Sequence, residues 1–213
     1  GTLNLLKALI ALPEVPKKVI LASSANVYGN HDGGLLAETV CPKPVNHYAM
    51  SKLAMEHMAM TFKDHLPLLI ARPFNYTGLG HDQRFVIPKI VDHFIRRDPM
   101  IELGNLDVHR EYNDVRMLCE FYLRLLESGQ IGETYNLCTG KTYALREVIN
   151  KLQAITGHEI GIRVNPAFIR ENEVYFLAGD SEKLRSTIGN FKDFTLDQTL
   201  AWMMKPDGHE NRV

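Results

Sequence analysis

Two short runs of nearly unbroken apolar residues constrain the fold more than anything else in the chain. They are Lys17–Ser23 (KKVILAS) and Leu66–Ala71 (LPLLIA). A strand with one face in water alternates apolar and polar residues, whereas a strand covered on both faces does not. Between them, over Asn46–His65, Met50, Leu53, Ala54, His57, Met58 and Thr61 recur at helical spacing. Strand, helix, strand, with both strands buried, is the pattern of a parallel βαβ unit.

The alternation continues on either side. Leu3–Leu12 reads as a helix stopped by Pro13 and Pro16, and Phe85–Arg96 as one with Pro88 near its first turn. Arg116–Ser128 reads as an amphipathic helix stopped by Gly129, and Leu145–Thr156 as one ended by Gly157. Ser181–Ile188 and Leu196–Met204 read as short helices, and the tail after Pro206 as disordered. Met100–Leu103, Glu111–Val115, Glu133–Cys138 and Ile160–Val164 read as strands. Loops rich in Ser, Asn, Gly and Asp follow both buried runs, at Ser23–Pro44 and Arg72–Arg84. Long loops of this kind are often functional. The expectation is an α/β fold with a parallel sheet covered by helices.

Charge excludes several function classes. The 213 residues carry 24 Lys+Arg against 25 Asp+Glu, a formal net charge of −1, so no basic excess points to nucleic acid or a membrane surface. No apolar stretch approaches the length of a membrane span, and no signal peptide opens the chain. Cys41, Cys119 and Cys138 are far apart, and neither they nor the histidines form a metal-ligand spacing. Sparse cysteine suits the reducing cytoplasm.

Chemistry concentrates in three places. Tyr48 and Lys52 in Tyr48-Ala49-Met50-Ser51-Lys52 stand one turn apart on one helix face. An ammonium beside a phenol favours the phenolate, so the pair suits acid/base work. Taken alone, the spacing arises often by chance. Upstream, Ser23-Ser24-Ala25-Asn26-Val27-Tyr28-Gly29 sits where the first strand ends. Ligands bind at the carboxyl ends of parallel strands, yet Ser24 reads equally well as a strand cap. The second strand runs into Arg72-Pro73-Phe74-Asn75-Tyr76-Thr77-Gly78. All three features fall at the same end of the expected sheet.

Strand-SSANVYG, then YAMSK on the next helix, then strand-RPFNYTG resembles the extended short-chain dehydrogenase/reductases, Rossmann-type enzymes of nucleotide-sugar metabolism. The resemblance implies the C-terminal part of a Rossmann-type parallel sheet with a smaller α/β substrate-binding region. Residues 1–80 would complete the dinucleotide-binding domain and carry the catalytic residues. Residues 81–213 would mainly bind the nucleotide sugar, with segments returning to the sheet. It further implies a catalytic triad of Ser24, Tyr48 and Lys52. Tyr48 would exchange the proton, Lys52 would tune it and hold the nicotinamide ribose, and Ser24 would bind the reacting oxygen. Ser23, Pro73 and Phe74 join Tyr48 and Lys52 around a bound NADP or NAD. Asn26, Asn75, Val86, Lys89, Arg110, Arg170 and Glu173 join Ser24 around the substrate. Arg110 would meet a phosphate, for which its planar fork is suited.

The motifs FVIPKI and LGNLDVHREYNDV look most like those of family members that reduce the C4 ketone of a GDP-4-keto-6-deoxy-hexose, giving GDP-D-rhamnose. Dehydratases of the family remove the C5 proton and need a carboxylate two residues after the catalytic hydroxyl. That position is Asn26, an amide and no base. A 4-epimerase needs only Ser, Tyr, Lys and the cofactor, and stays open. So does a catalytically dead protein that keeps the nucleotide-sugar pocket. The family's Gly-x-x-Gly-x-x-Gly turn, which admits the pyrophosphate to a helix N-terminus, is not in this sequence. With an apolar helix opening at Gly1, this leads to the expectation of a longer parent protein. The resemblance also implies a homodimer through the Tyr48/Lys52 helix. Met50, Met55, Met58 and Met60 on that helix fit such an interface or an ordinary core face.

Overall fold

The computed structural model describes residues 1–31, 33–169 and 173–205. The strands are β1 (Val19–Ala22), β2 (Leu68–Pro73), β3 (Tyr76–Thr77), β4 (Met100–Leu103), β5 (His109–Glu111), β6 (Asn113–Asp114), β7 (Thr134–Leu137), β8 (Thr142–Ala144), β9 (Gly161–Val164) and β10 (Phe176–Leu177). The helices are α1 (Thr2–Ile10), α2 (His47–Met60), α3 (Val86–Arg96), α4 (Val115–Ser128), α5 (Leu145–Thr156), α6 (Glu182–Ile188) and α7 (Leu196–Met203). Arg170 and the tail after Pro206 lie outside the described residues.

The main sheet is parallel, in the order β1-β2-β7, with Val19 opposite Leu68 and Ile70 opposite Thr134. β2 is central, and the two faces of its pleat separate two cores. Leu68 and Ile70 pack with Leu6 of α1, Ala59 of α2 and Leu21. Leu69 and Ala71 pack with Phe121 and Leu125 of α4 and Leu184 and Ile188 of α6. The reading of a strand buried on both faces holds for β2. It fails for β1, which pairs on one side only among the described residues and leaves Val19 and Ile20 half-buried and Ala22 exposed.

A third core gathers Ile87, Ile90 and Phe94 of α3, Val148 and Leu152 of α5 and Leu200 of α7 around Ile101 and Leu103 of β4. β4 pairs in parallel with β9. The main sheet is parallel as expected, while in a smaller sheet β5 runs parallel to β10 and antiparallel to β8. β8 reaches β5 across β6, α4 and β7 and runs directly into α5. β3 pairs with β6, and Leu36 bridges to Gly179, stitching the loop after β1 to the end of the chain.

Candidate active site

The chain leaves β1 through Ser23 and enters a tight 3₁₀ turn, Ala25–Tyr28, with Ser24 as its N-cap. Ser24 Oγ accepts the Asn26 N–H at 3.2 Å, so the capping reading is correct. That bond uses a lone pair and leaves the hydroxyl proton to donate. The turn ends at Gly29 with φ +69°, where a Cβ would stand 1.8 Å from the Lys43 carbonyl oxygen. Only glycine fits, so the exit of the turn is fixed. Ser23 donates its N–H to Ala71 O at 2.7 Å, extending the ladder, while its buried Oγ has no partner among the described residues. A buried hydroxyl left unpaired is costly. It fits a polar ligand at the strand end.

Asn46 starts α2, its Oδ1 accepting the Ala49 N–H at 2.9 Å. Tyr48 then lies in the first turn and Lys52 in the second. Lys52 Nζ donates to Ala22 O, the last carbonyl of β1, at 2.8 Å and sits 5.8 Å from the Tyr48 ring centroid. One hydrogen bond thus ties the helix that carries Tyr48 to the residue before Ser23 and Ser24. Tyr48 is 52% exposed.

Two tyrosines that sequence reasoning did not single out stand nearby. Burial, joined by repulsion from Tyr76, Tyr48 and Cys119, pushes the Tyr122 hydroxyl up to about 12. Tyr122 comes from α4 and Tyr76 from β3, so three phenols from three elements face one region. Tyr76 belongs to the RPFNYTG motif, and this was its only sequence signal. Its ring stacks on His81 at 6.3 Å, and His81 packs on Phe85 at 4.3 Å.

Among the other expected cofactor residues, Pro73 ends β2 half-buried. The Phe74 ring is in the core, 6.2 Å from Tyr28, so any cofactor contact falls to its main chain. Asn26 is half-buried, whereas Asn75 is exposed and its carbonyl accepts the Asn113 N–H at 3.0 Å.

The remaining expected substrate residues form a second group. Val86 opens α3, partly buried against its core. One turn on, Lys89 Nζ donates to Glu102 O at 2.7 Å and lies 4.6 Å from the Phe168 ring centroid. Arg110 in β5 donates to His109 O at 2.8 Å and to Val174 O. The neighbouring Glu173 carries a buried carboxylate oxygen, Oε2, without a partner among the described residues. Asn30 Nδ2, just past the Ser24 turn, donates to Glu173 O at 3.3 Å and links the two groups.

Comparison with known proteins shows what the chain as a whole is similar to. The family model described as GDP-mannose 4,6 dehydratase matches residues 1–203. GDP-6-deoxy-D-talose 4-dehydrogenase of Aggregatibacter actinomycetemcomitans is 38% identical over 92% of this chain and 66% of its own length. GDP-6-deoxy-D-mannose reductase of Pseudomonas aeruginosa is 35% identical over 94% and 68%. The structure of RMD from Pseudomonas aeruginosa, complexed with NADPH, superimposes with a TM-score of 0.89 at 33% identity, over 100% of this chain and 73% of that one. A candidate epimerase of Burkholderia cenocepacia superimposes at 0.92 with 50% identity, over 96% and 67%. The chain thus spans about two thirds of the length of the curated relatives it matches.

Proposed function

Because the chain belongs to the GDP-mannose 4,6-dehydratase family of short-chain dehydrogenase/reductases and has their Rossmann-type α/β fold, we propose that it carries the reacting residues of an NAD(P)-dependent enzyme. That enzyme reduces the C4 ketone of a GDP-4-keto-6-deoxy-hexose. The observation that carries the reading is the hydrogen bond from Lys52 to Ala22 O, which ties the helix bearing Tyr48 to the strand that ends just before Ser23 and Ser24.

The residues fit the nicotinamide-ribose end of a dinucleotide: Ser23 Oγ is buried and unpaired among the described residues, and Lys52 Nζ is held on the last carbonyl of β1. The dinucleotide, when bound, supplies a hydride to the sugar C4. Tyr48 gives its phenolic proton to the C4 oxygen, so the ketone becomes a secondary alcohol. Ser24 donates a hydrogen bond to that oxygen and orients it. Lys52 stabilises the phenolate that Tyr48 becomes. Arg110 and Lys89 hold the diphosphate, Glu173 the ribose, and Asn26 and Asn75 the sugar end. Asn26 has no basic oxygen for C5 proton removal, which favours reduction over dehydration. We assign residues 1–80 to the cofactor side and most of 81–213 to the nucleotide sugar. The exposed α2 face, with Met50 56% exposed, is the surface of a homodimer.

The two curated relatives are named for GDP-6-deoxy sugars that differ only in configuration at C4. The test is therefore the reaction with GDP-4-keto-6-deoxy-mannose and NADPH or NADH, with the product's C4 configuration read by NMR. Loss of reduced cofactor with formation of a 6-deoxy-hexose supports the reading. Interconversion of C4 epimers with no net loss of cofactor replaces it with a 4-epimerase. GDP-sugar binding with neither turnover nor cofactor binding replaces it with a binding protein.

A further inference from the structure

One buried ion pair stands apart from the proposed reacting corner. Glu56 and Arg72 are 5% and 6% exposed, and they pair as a fork. Arg72 Nε donates to Glu56 Oε1 at 2.9 Å and Nη2 to Oε2 at 2.6 Å. The remaining arm, Nη1, donates to Tyr28 OH at 3.0 Å, and the guanidinium lies over the Tyr28 ring, 4.9 Å from its centroid. Tyr28 OH donates in turn to Asn136 Oδ1 of β7 at 2.7 Å. Asn136 Nδ2 reaches Leu36 O at 2.7 Å, and its backbone N–H reaches Glu38 Oε1 at 2.7 Å.

Every member comes from a different element. Glu56 lies on α2, one turn after Lys52 and two after Tyr48, on the same face. Tyr28 is the last residue of the turn whose cap is Ser24. Arg72 is in β2 and Asn136 in β7. One guanidinium therefore joins the helix bearing Tyr48 and Lys52 to the turn bearing Ser24. A buried ion pair is weak evidence for stability, because its desolvation offsets its attraction and apolar residues of like size often serve as well. A bidentate fork is, however, strict in direction. It fixes the rotation of α2 about its axis, where an apolar contact would let it turn.

We propose that Glu56, Arg72 and Tyr28 are positioning residues that set the Tyr48 and Lys52 side chains against Ser24. The proposal rests on the reading of those three as the reacting group. No member of the cluster needs to touch substrate or cofactor.

The test uses two variants of the enzyme. Glu56→Met with Arg72→Met removes both charges together, so neither is left buried alone. Tyr28→Phe keeps the ion pair and cuts its link to the Ser24 turn. Two readouts are taken beside the thermal midpoint. The first is amide hydrogen exchange at Asn26, Val27 and Gly29 and at Ala49–Leu53, compared with the amides of β2. The second is kcat and KM for reduction. The expected result is a midpoint preserved or raised in the double variant, and exchange about tenfold faster in the two segments with β2 unchanged. With it, kcat falls about 10- to 100-fold at nearly constant KM, the cost of displacing reacting groups by about 1 Å. Unchanged exchange in both segments overturns the proposal, as does faster exchange with kcat intact. If the double variant does not fold, Tyr28→Phe decides on the same criteria. If the unaltered enzyme does not reduce the ketone, the functional reading fails, and exchange alone decides the positioning claim.

Discussion

Tyr48 acts through its hydroxyl, and Arg110 through a fork of donors that the fold already holds in place. Replacing Tyr48 by Phe removes the proton donor and little volume. The expected outcome is a kcat lower by about 10²-fold or more, with GDP-sugar affinity by calorimetry nearly unchanged. Equal loss of both would make Tyr48 a structural residue. Arg110 is steadied by the His109 and Val174 carbonyls. Arg110→Ala removes charged hydrogen bonds worth about 1.5–3 kcal/mol, so KM should rise about tenfold or more. An unchanged KM would take Arg110 out of the phosphate site. His81 gives a pH signature. Burial between Tyr76 and Phe85 holds its pKa below the usual histidine value. The unfolded chain then binds the proton more readily, so stability is full above about pH 6.5 and declines as pH falls toward the folded value. His81→Phe should lose less stability between neutral and mildly acidic pH than the unaltered chain, as measured by urea unfolding. At this scale Ser24, Tyr48 and Lys52 were legible because each sits in a compact motif. The Glu56–Arg72 pair was not. Arg72 read as the start of a loop and Glu56 carried no signal of its own, and only the packing of α2 on β2 brings them together.

The elements that periodicity could find are those long enough to have a period. α5 runs from Leu145 to Thr156 as the sequence predicts. Glu147 reaches back to the Ala144 N–H at 2.7 Å at one end, and Gly157 closes the other with φ +64°. β3, β8 and β10 are two or three residues long and carry no period. The expected strand Glu111–Val115 is two strands interrupted at Tyr112. The pairing partners change there, from β8 and β10 to β3, and beside the break lies the Glu111 carboxylate. It is buried and accepts N–H groups from Gly179 at 2.7 Å and Thr139 at 2.8 Å, contacts no local pattern announces. Burial pushes this carboxyl above the usual range while those donors pull it back. The helix expected to reach His65 stops at Met60, where Thr61 Oγ1 turns back to Met58 O at 2.7 Å. α4 is held to the sheet by Phe121, fully buried and edge-on to Phe191 at 4.5 Å. Phe121→Ala should cost about 3–5 kcal/mol, read as a lower denaturant midpoint at unchanged slope. A loss below about 1 kcal/mol would mean that α4 repacks freely.

Over the whole molecule, three strands of one sheet and two smaller cores are joined by segments that cross between them. Residues far apart in sequence, such as Asn30 and Glu173, meet where the substrate is expected. Among the described residues no helix is long and apolar enough to cross a membrane. The proposed dimer belongs to this scale. Met50→Glu places a charge on the exposed α2 face and should shift sedimentation from dimer to monomer, with thermal unfolding of the protomer little changed. An unaltered mass would place any interface elsewhere. The pairing of the strands also bears on how the molecule comes into being. Val19 must wait for Leu68, Ile70 for Thr134, Met100 for Gly161 and Leu36 for Gly179. Each contact closes a long loop before it gains a partner, and such topologies fold slowly. During synthesis, β2 and its apolar neighbours leave the ribosome well before β7 exists to cover them. The nascent chain should therefore depend on chaperones, and its yield should rise as translation is slowed or the temperature lowered.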